Sequence, residues 1–228
     1  MFDIIKKYPK VDSELVKKFA MVKESASINE CLKANGAMSH HLRPVWPGSR
    51  FCGVAFTVSA RPGDNLILHK AISLLKPGDA LIVTCDGFLE SGGMWGGIMS
   101  SAAQKMGAVA LVIDGSVRDT MHMKEIGFPV FSCGINVKRS TKAVGGTINH
   151  PITICGVQVH PGDLVFGDND AVVVVPREEA SQVYEAATKR EAHEENSLIN
   201  VQRDGTFTFY GNEFHKTFAA LGLSEEED

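Results

Sequence analysis

Three continuous apolar runs organise the middle of the chain: ALIVTC (80–85), AVALVID (108–114) and FPVFSC (128–133). None shows the alternation of a half-exposed strand. Each has strand length and carries β-branched residues, as a strand covered on both faces does. FCGVAFTVSA (51–60) reads as a further strand, closed by the turn signal RPGDN. Helical spacing appears between these runs. LILHKAISLL (66–75) is broken by KPGD, and GGMWGGIMSSAAQKMG (92–107) opens on glycines and continues as a helix of small and apolar residues. GSVRDTMHMKEIG (115–127) turns into a short helix. Strand–helix–strand alternation predicts a largely parallel sheet layered with helices.

The flanks read differently. Residues 13–36 predict two short helices with a break near Ser25-Ala26-Ser27, and Ser27 with Glu30 fits a capping box for the second. Beyond residue 140, ITICGVQVHPGDLVFGDNDAVVVVP (152–176) has short strands split by Gly-Asp and Asn-Asp turns, which predicts antiparallel hairpins on the same core. One long charged helix is expected from Arg177 to about Asn196, behind Pro176, and the SEEED tail is expected to fray. The pattern shows no repeat or linker, so one domain over residues 1–228 is expected.

Composition narrows the classes. The 228 residues carry 44% hydrophobic and 22% charged side chains with a formal charge of −4, which offers no basic footprint for nucleic acid or anionic membranes. No run of about 18 apolar residues suggests a membrane span, and the polar N-terminus interrupted by Pro9 does not read as a secretory signal. Cys31, Cys52, Cys85, Cys133 and Cys155 are odd in number and widely spaced. They read as small buried hydrophobes in a reducing cytoplasm.

Candidate chemistry centres on Arg118-Asp119, where a buried strand ends and a helix begins. Ligands gather outside the carboxyl ends of strands in open α/β sheets. A carboxylate there can bind a hard divalent cation, and a guanidinium can clamp a carboxylate in bidentate fashion. The same residues also fit a plain N-cap Asp with a solvated Arg. Gly92-Gly93 and Gly96-Gly97 precede a helix whose first amides favour an anion. They form neither a P-loop nor a GxGxxG fingerprint. Twenty residues separate Gly97 from Arg118, enough for one helix and one strand that return to the same sheet edge. His122 falls one turn from Asp119 and could reach the same pocket.

WGGIMSSAAQKMGAVALVIDGSVRD, with LRPVWPGSRFCG before it and PGDLVFGDNDAVVVVPREEA after it, resembles the RraA-like family, in particular its 4-hydroxy-4-methyl-2-oxoglutarate/4-carboxy-4-hydroxy-2-oxoadipate aldolases. The family also includes oxaloacetate decarboxylases and regulators of ribonuclease activity. The resemblance implies a layered α/β/α fold on a mixed sheet, a homotrimer or hexamer, and sites at subunit interfaces. It implies that Asp119 binds Mg2+ or Mn2+, that Arg118 holds a pyruvyl carboxylate, and that amides at Ile98 and Met99, beside Gly96 and Gly97, bind the same group. Glu194, or Glu195, would serve a neighbouring subunit. The expected activity is a metal-dependent lyase, aldolase or decarboxylase, cleaving a small carboxylated 2-keto acid through a pyruvate enolate. The alternative is a non-catalytic ribonuclease regulator acting by protein binding.

The sequence departs from the aldolases in one respect. They carry an Asp at the place of Gly97, gripping metal-bound water. Asp86 or Glu90, in TCDGFLESGG, is the nearest carboxylate that could replace it.

Overall fold

The computed structural model describes residues 2–205 and 211–223. Its elements run in the order β1 (Asp3–Ile4), α1 (Ser13–Phe19), α2 (Ser25–Asn29), β2 (Arg43–Pro44), β3 (Phe51–Ala60), α3 (Leu66–Ile72), β4 (Asp79–Thr84), β5 (Gly93–Trp95), α4 (Gly97–Lys105) and β6 (Ala110–Val117). They continue through α5 (Thr120–Glu125), β7 (Val130–Ile135), β8 (Gly146–Ile148), β9 (Ile152–Ile154), β10 (Val157–Val159), β11 (Leu164–Gly167), β12 (Val172–Val175), α6 (Ala180–Asp204) and α7 (Gly211–Ala220). The SEEED tail lies outside the described residues. No helix among the described residues is long and apolar enough to cross a membrane.

The four predicted strands β3, β4, β6 and β7 lie side by side, all parallel. They form the centre of a mixed ten-stranded sheet in the order β1-β8-β3-β4-β6-β7-β2, with β5, β11 and β12 attached. Every residue of β4 and β6 is buried, which explains the unbroken apolar runs. Leu81 and Val83 join one cluster with α3, α4 and α5, whereas Ala80 and Ile82 meet the β9–β10 hairpin on the other face. A third cluster packs α1, α2 and the start of α6 onto β11 and β12. Helices therefore cover two sides of the sheet system, which gives the layered α/β/α arrangement.

The second edge of β3 is divided between two antiparallel partners. β11 pairs with residues 51–54 and β8 with residues 58–60. The short three-residue strand β5 occupies the space beyond the end of β4, pairing with Ser116 and Val117 at the end of β6.

Two local expectations are corrected. α2 begins at Ser25 behind Glu24, and Ser27 lies buried inside it, so no Ser27–Glu30 capping box forms. The carboxylate of Asp168 does the work instead, accepting from the Ser25 amide at 2.7 Å and its hydroxyl at 2.8 Å. α6 runs to Asp204, eight residues past the expected end, because no glycine or proline stops it before Gly205.

Candidate active site

β6 ends at Val117, and the chain then turns sharply into α5. Asp119 makes that turn in the left-handed region, at φ 60° and ψ 38°. Asp is among the residues that tolerate it, although the conformation is uncommon outside glycine. As the residue before α5, Asp119 occupies the N-cap position, but its side chain makes no cap to that helix. Its Oδ2 instead accepts from the Gly97 amide at the start of α4, at 2.9 Å. Asp119 therefore holds the N-cap position without capping α5. The Arg118 amide donates to the Trp95 carbonyl at 2.9 Å, which fixes the end of β6 beside the start of α4. The crossover brings the two sequence signals together as their spacing predicts.

Arg118 and Asp119 are neighbours without a tight ion pair. Arg118 Nε lies 4.0 Å from Asp119 Oδ2, and the two side chains are 41% and 53% exposed. Both remain available to a ligand. Two adjoining clefts, of about 260 and 160 Å3, share Asn65, Gly93, Arg118 and Lys142 as walls. The first adds Arg139 and Ser140; the second adds Asp119, Gly96, Ile98, Met99 and His69. Ile98 and Met99, in the first turn of α4, line the second cleft, and first-turn amides of a helix have no intrahelical acceptor. Three larger clefts among the described residues are lined by neither Arg118 nor Asp119.

Several lining residues escape sequence reasoning. Asn65 is buried, and its Nδ2 donates to the Met94 carbonyl at 2.9 Å. Its Oδ1 is buried without a partner. Arg139 and Lys142 add two cations to Arg118. Their signal was the run KRSTK after the strand ending in β7, a basic loop at a strand's carboxyl end. His69 sits lower than the usual imidazole range because burial, then the Lys142 charge, disfavours its proton. Its ring is therefore neutral at neutral pH.

Other expected participants lie apart. Glu90 pairs with Lys138 at 3.1 Å, and Asp86 lines a different cleft beside Asp114. Neither replaces a carboxylate at Gly97. Glu194 lies on α6, 2.8 Å from Arg190, and Glu195 pairs with Lys23 at 3.4 Å. Neither lines the Arg118–Asp119 clefts of its own chain. His122 does come close. A Cβ on Gly97 would lie 2.8 Å from its Cδ2, and its Nε2 bonds the Ser101 hydroxyl at 2.9 Å. The imidazole fills the room that a side chain at position 97 would need.

The donor set can be tested against a divalent cation. Among the described residues no three His, Cys, Asp or Glu side chains converge as a cage. Mg2+ keeps several waters and takes one or two carboxylates plus substrate oxygens. The half-exposed Asp119 carboxylate, in a cleft also lined by Arg118 and Lys142, fits that mode.

Comparison with known proteins bears on the family and the fold. The family described as RraA-like, Aldolase/RraA, matches residues 24–174. A protein of Halalkalibacterium halodurans, provisionally named 4-hydroxy-4-methyl-2-oxoglutarate aldolase, is 32% identical over 74% of this chain and 80% of its own. The crystal structure of Streptomyces coelicolor RraAS2, described as an unusual member of the RNase ES inhibitor RraA family, is similar with a TM-score of 0.75 and 26% identity. The match covers 84% of this chain and 100% of that one. An uncharacterised protein from Pseudomonas syringae pv. tomato matches with a TM-score of 0.74 at 26% identity, over 87% and 96% of the two chains. Sequence signals at the end of β6, the cleft they build and these likenesses converge, and the chain belongs to the RraA-like family.

Proposed function

We propose that the protein is a divalent-metal-dependent carbon–carbon lyase acting on a small 2-keto acid with a second carboxylate. One observation carries this reading. Asp119 turns its carboxylate away from its own helix, toward the Gly97 amide of α4, in a cleft walled by Arg118 and Lys142, with Arg139 in the adjoining one. One carboxylate is matched by Arg118 in bidentate fashion together with the Ile98 and Met99 amides. The remaining cations, Arg139 and Lys142, have charge to spare for a second carboxylate, which favours a diacid such as oxaloacetate or a 4-hydroxy-2-oxo diacid.

Asp119 would hold the metal, for which Mg2+ and Mn2+ are the candidates. When bound, such an ion supplies Lewis-acid stabilisation of charge growing on the keto oxygen. The chain's own groups supply orientation. Arg118 and the helix amides fix the keto-acid end, and neutral His69 stands at the cleft as a group able to take a proton. The family's naming as Aldolase/RraA supports the reaction class. A homotrimer or hexamer in the cytoplasm completes the proposal, with Glu194 reaching a neighbouring subunit's cleft.

Pyruvate release from oxaloacetate and from a 4-hydroxy-2-oxo diacid, measured with Mg2+, Mn2+ or EDTA, tests the reading. Turnover should require the metal. Asp119→Ala should abolish it, and Arg118→Ala should lower it by about 100-fold, the scale of losing one preorganised donor. Unchanged turnover in Asp119→Ala would overturn the assignment. A second reading, binding and inhibition of a ribonuclease, is favoured by the likeness to RraAS2. It predicts ribonuclease inhibition with no turnover of either keto acid.

A further inference from the structure

A separate cleft of about 470 Å3 shares no lining residue with the Arg118–Asp119 clefts. Its walls include His41, Asp114, Cys133 and Cys155. The two cysteines stand 22 residues apart in sequence, yet their Sγ atoms are 3.6 Å apart. Both are partly exposed rather than buried as the sequence suggested. Cys133 lies in β7, and Cys155 in the two-residue turn between β9 and β10.

That turn is unusual. Cys155 adopts φ +48° and Gly156 φ +85°. Two-residue hairpins of this kind favour Asn-Gly or Asp-Gly, because a cysteine gains nothing from the left-handed region. Asn or Asp would sit in this left-handed position more readily, yet the cysteine here places its sulfur against Cys133. The contact also polarises the pair. The hydrogen bond from Cys155 holds the Cys133 thiol below its ordinary range, and the same bond, with burial, pushes Cys155 up. The other cysteines are less reactive by environment. Cys85 is buried, and burial raises Cys31 and, to about 12, Cys52.

We propose that Cys133 and Cys155 form a redox-active dithiol that a peroxide converts to a disulfide, stapling the β9–β10 turn to β7. Cys133 sulfur attacks the peroxide; an S–O bond forms and the O–O bond breaks. The departing oxygen leaves as water with the Cys133 proton. Cys155 sulfur then attacks the sulfenic acid at Cys133. The S–S bond forms, the S–O bond breaks, and a second water leaves with the Cys155 proton. Two electrons pass from the thiols to the peroxide. The pair needs no part of the lyase chemistry, so it stands or falls separately.

The full chain treated with a small excess of hydrogen peroxide tests this. Non-reducing peptide mapping should find a Cys133–Cys155 cross-link, with two of the five thiols lost to a thiol reagent and both restored by dithiothreitol. Cys155→Asn suits the left-handed turn and should fold. There oxidation should stop at Cys133 as a sulfenic acid that dimedone traps. The proposal is overturned by intact thiols at Cys133 and Cys155, by a disulfide to another cysteine or between chains, or by equal oxidation of all five. Dimedone labelling of Cys155→Asn elsewhere than at Cys133 would also overturn it.

Discussion

A Cβ atom added to Gly97 would meet the His122 ring at 2.8 Å and Asp119 Cβ at 3.4 Å, so the identities of residues 97 and 122 are coupled. The aldolases' Asp at this place could enter only if the imidazole moved. Gly97→Asp should cost about 1–3 kcal/mol by overpacking, read from urea denaturation. Adding His122→Ala should recover most of that loss, and equal costs in both backgrounds would refute the coupling. If the lyase reading holds, the double variant should also keep more metal-dependent turnover than Gly97→Asp. The sequence located Arg118 and Asp119, because a strand end followed by a helix start is a pattern. It gave no hint of where the carboxylate points, since that depends on a left-handed backbone at one residue. Whether Gly97 left a vacancy or a filled space was equally hidden, because His122 reaches it through tertiary packing.

At the scale of elements, the apolar runs that became β3, β4, β6 and β7 were legible because both faces of each are buried. β1 and β2, two residues each, and β5, three residues in a glycine cluster, carry no period to read. The segment between β7 and β8 carries no period either, and only its basic run KRSTK hinted that it brings Arg139 and Lys142 to the cleft. Asp64 holds that segment. Its Oδ2 accepts from the Thr141 hydroxyl at 2.7 Å and the Ala143 amide at 2.6 Å, and its Oδ1 from the Leu66 amide at 3.1 Å. Burial alone would raise this carboxyl, but the Thr141 hydroxyl and the Ala143, Leu66 and Val144 amides together bring it below its ordinary value. A depressed carboxyl contributes stability above its unfolded pKa of about 3.9. That contribution is lost as pH falls through the lower folded value. Asp64→Ala should therefore cost about 1–3 kcal/mol at neutral pH, with the gap to the native chain narrowing in acid. Thermal denaturation across pH 2–7 would show it, and a gap independent of pH would rule out the charge as its cause. On the proposed function, the same variant should raise KM more than it lowers kcat, because Lys142 loses its anchor.

At the scale of the whole molecule, large apolar side chains stay exposed on the elements that carry the site: Ile98 at 89%, Met121 at 78% and Val137 at 82%. The proposed trimer or hexamer gives them something to cover. Met121→Glu with Val137→Glu should shift sedimentation toward the monomer, and an unchanged assembly would separate these residues from any subunit contact. The divided edge of β3 has a consequence of another kind. Strand β3 is made early, but its partner β11 begins at Leu164, about 100 residues later. At ribosomal rates of about 5–20 residues per second, that edge waits on the order of 5–20 s for its partner. During synthesis, the first half of β3 is an unpaired, largely apolar strand edge of the kind that invites association with other nascent chains. The order in which the chain emerges therefore sets when this protein is most in need of a chaperone.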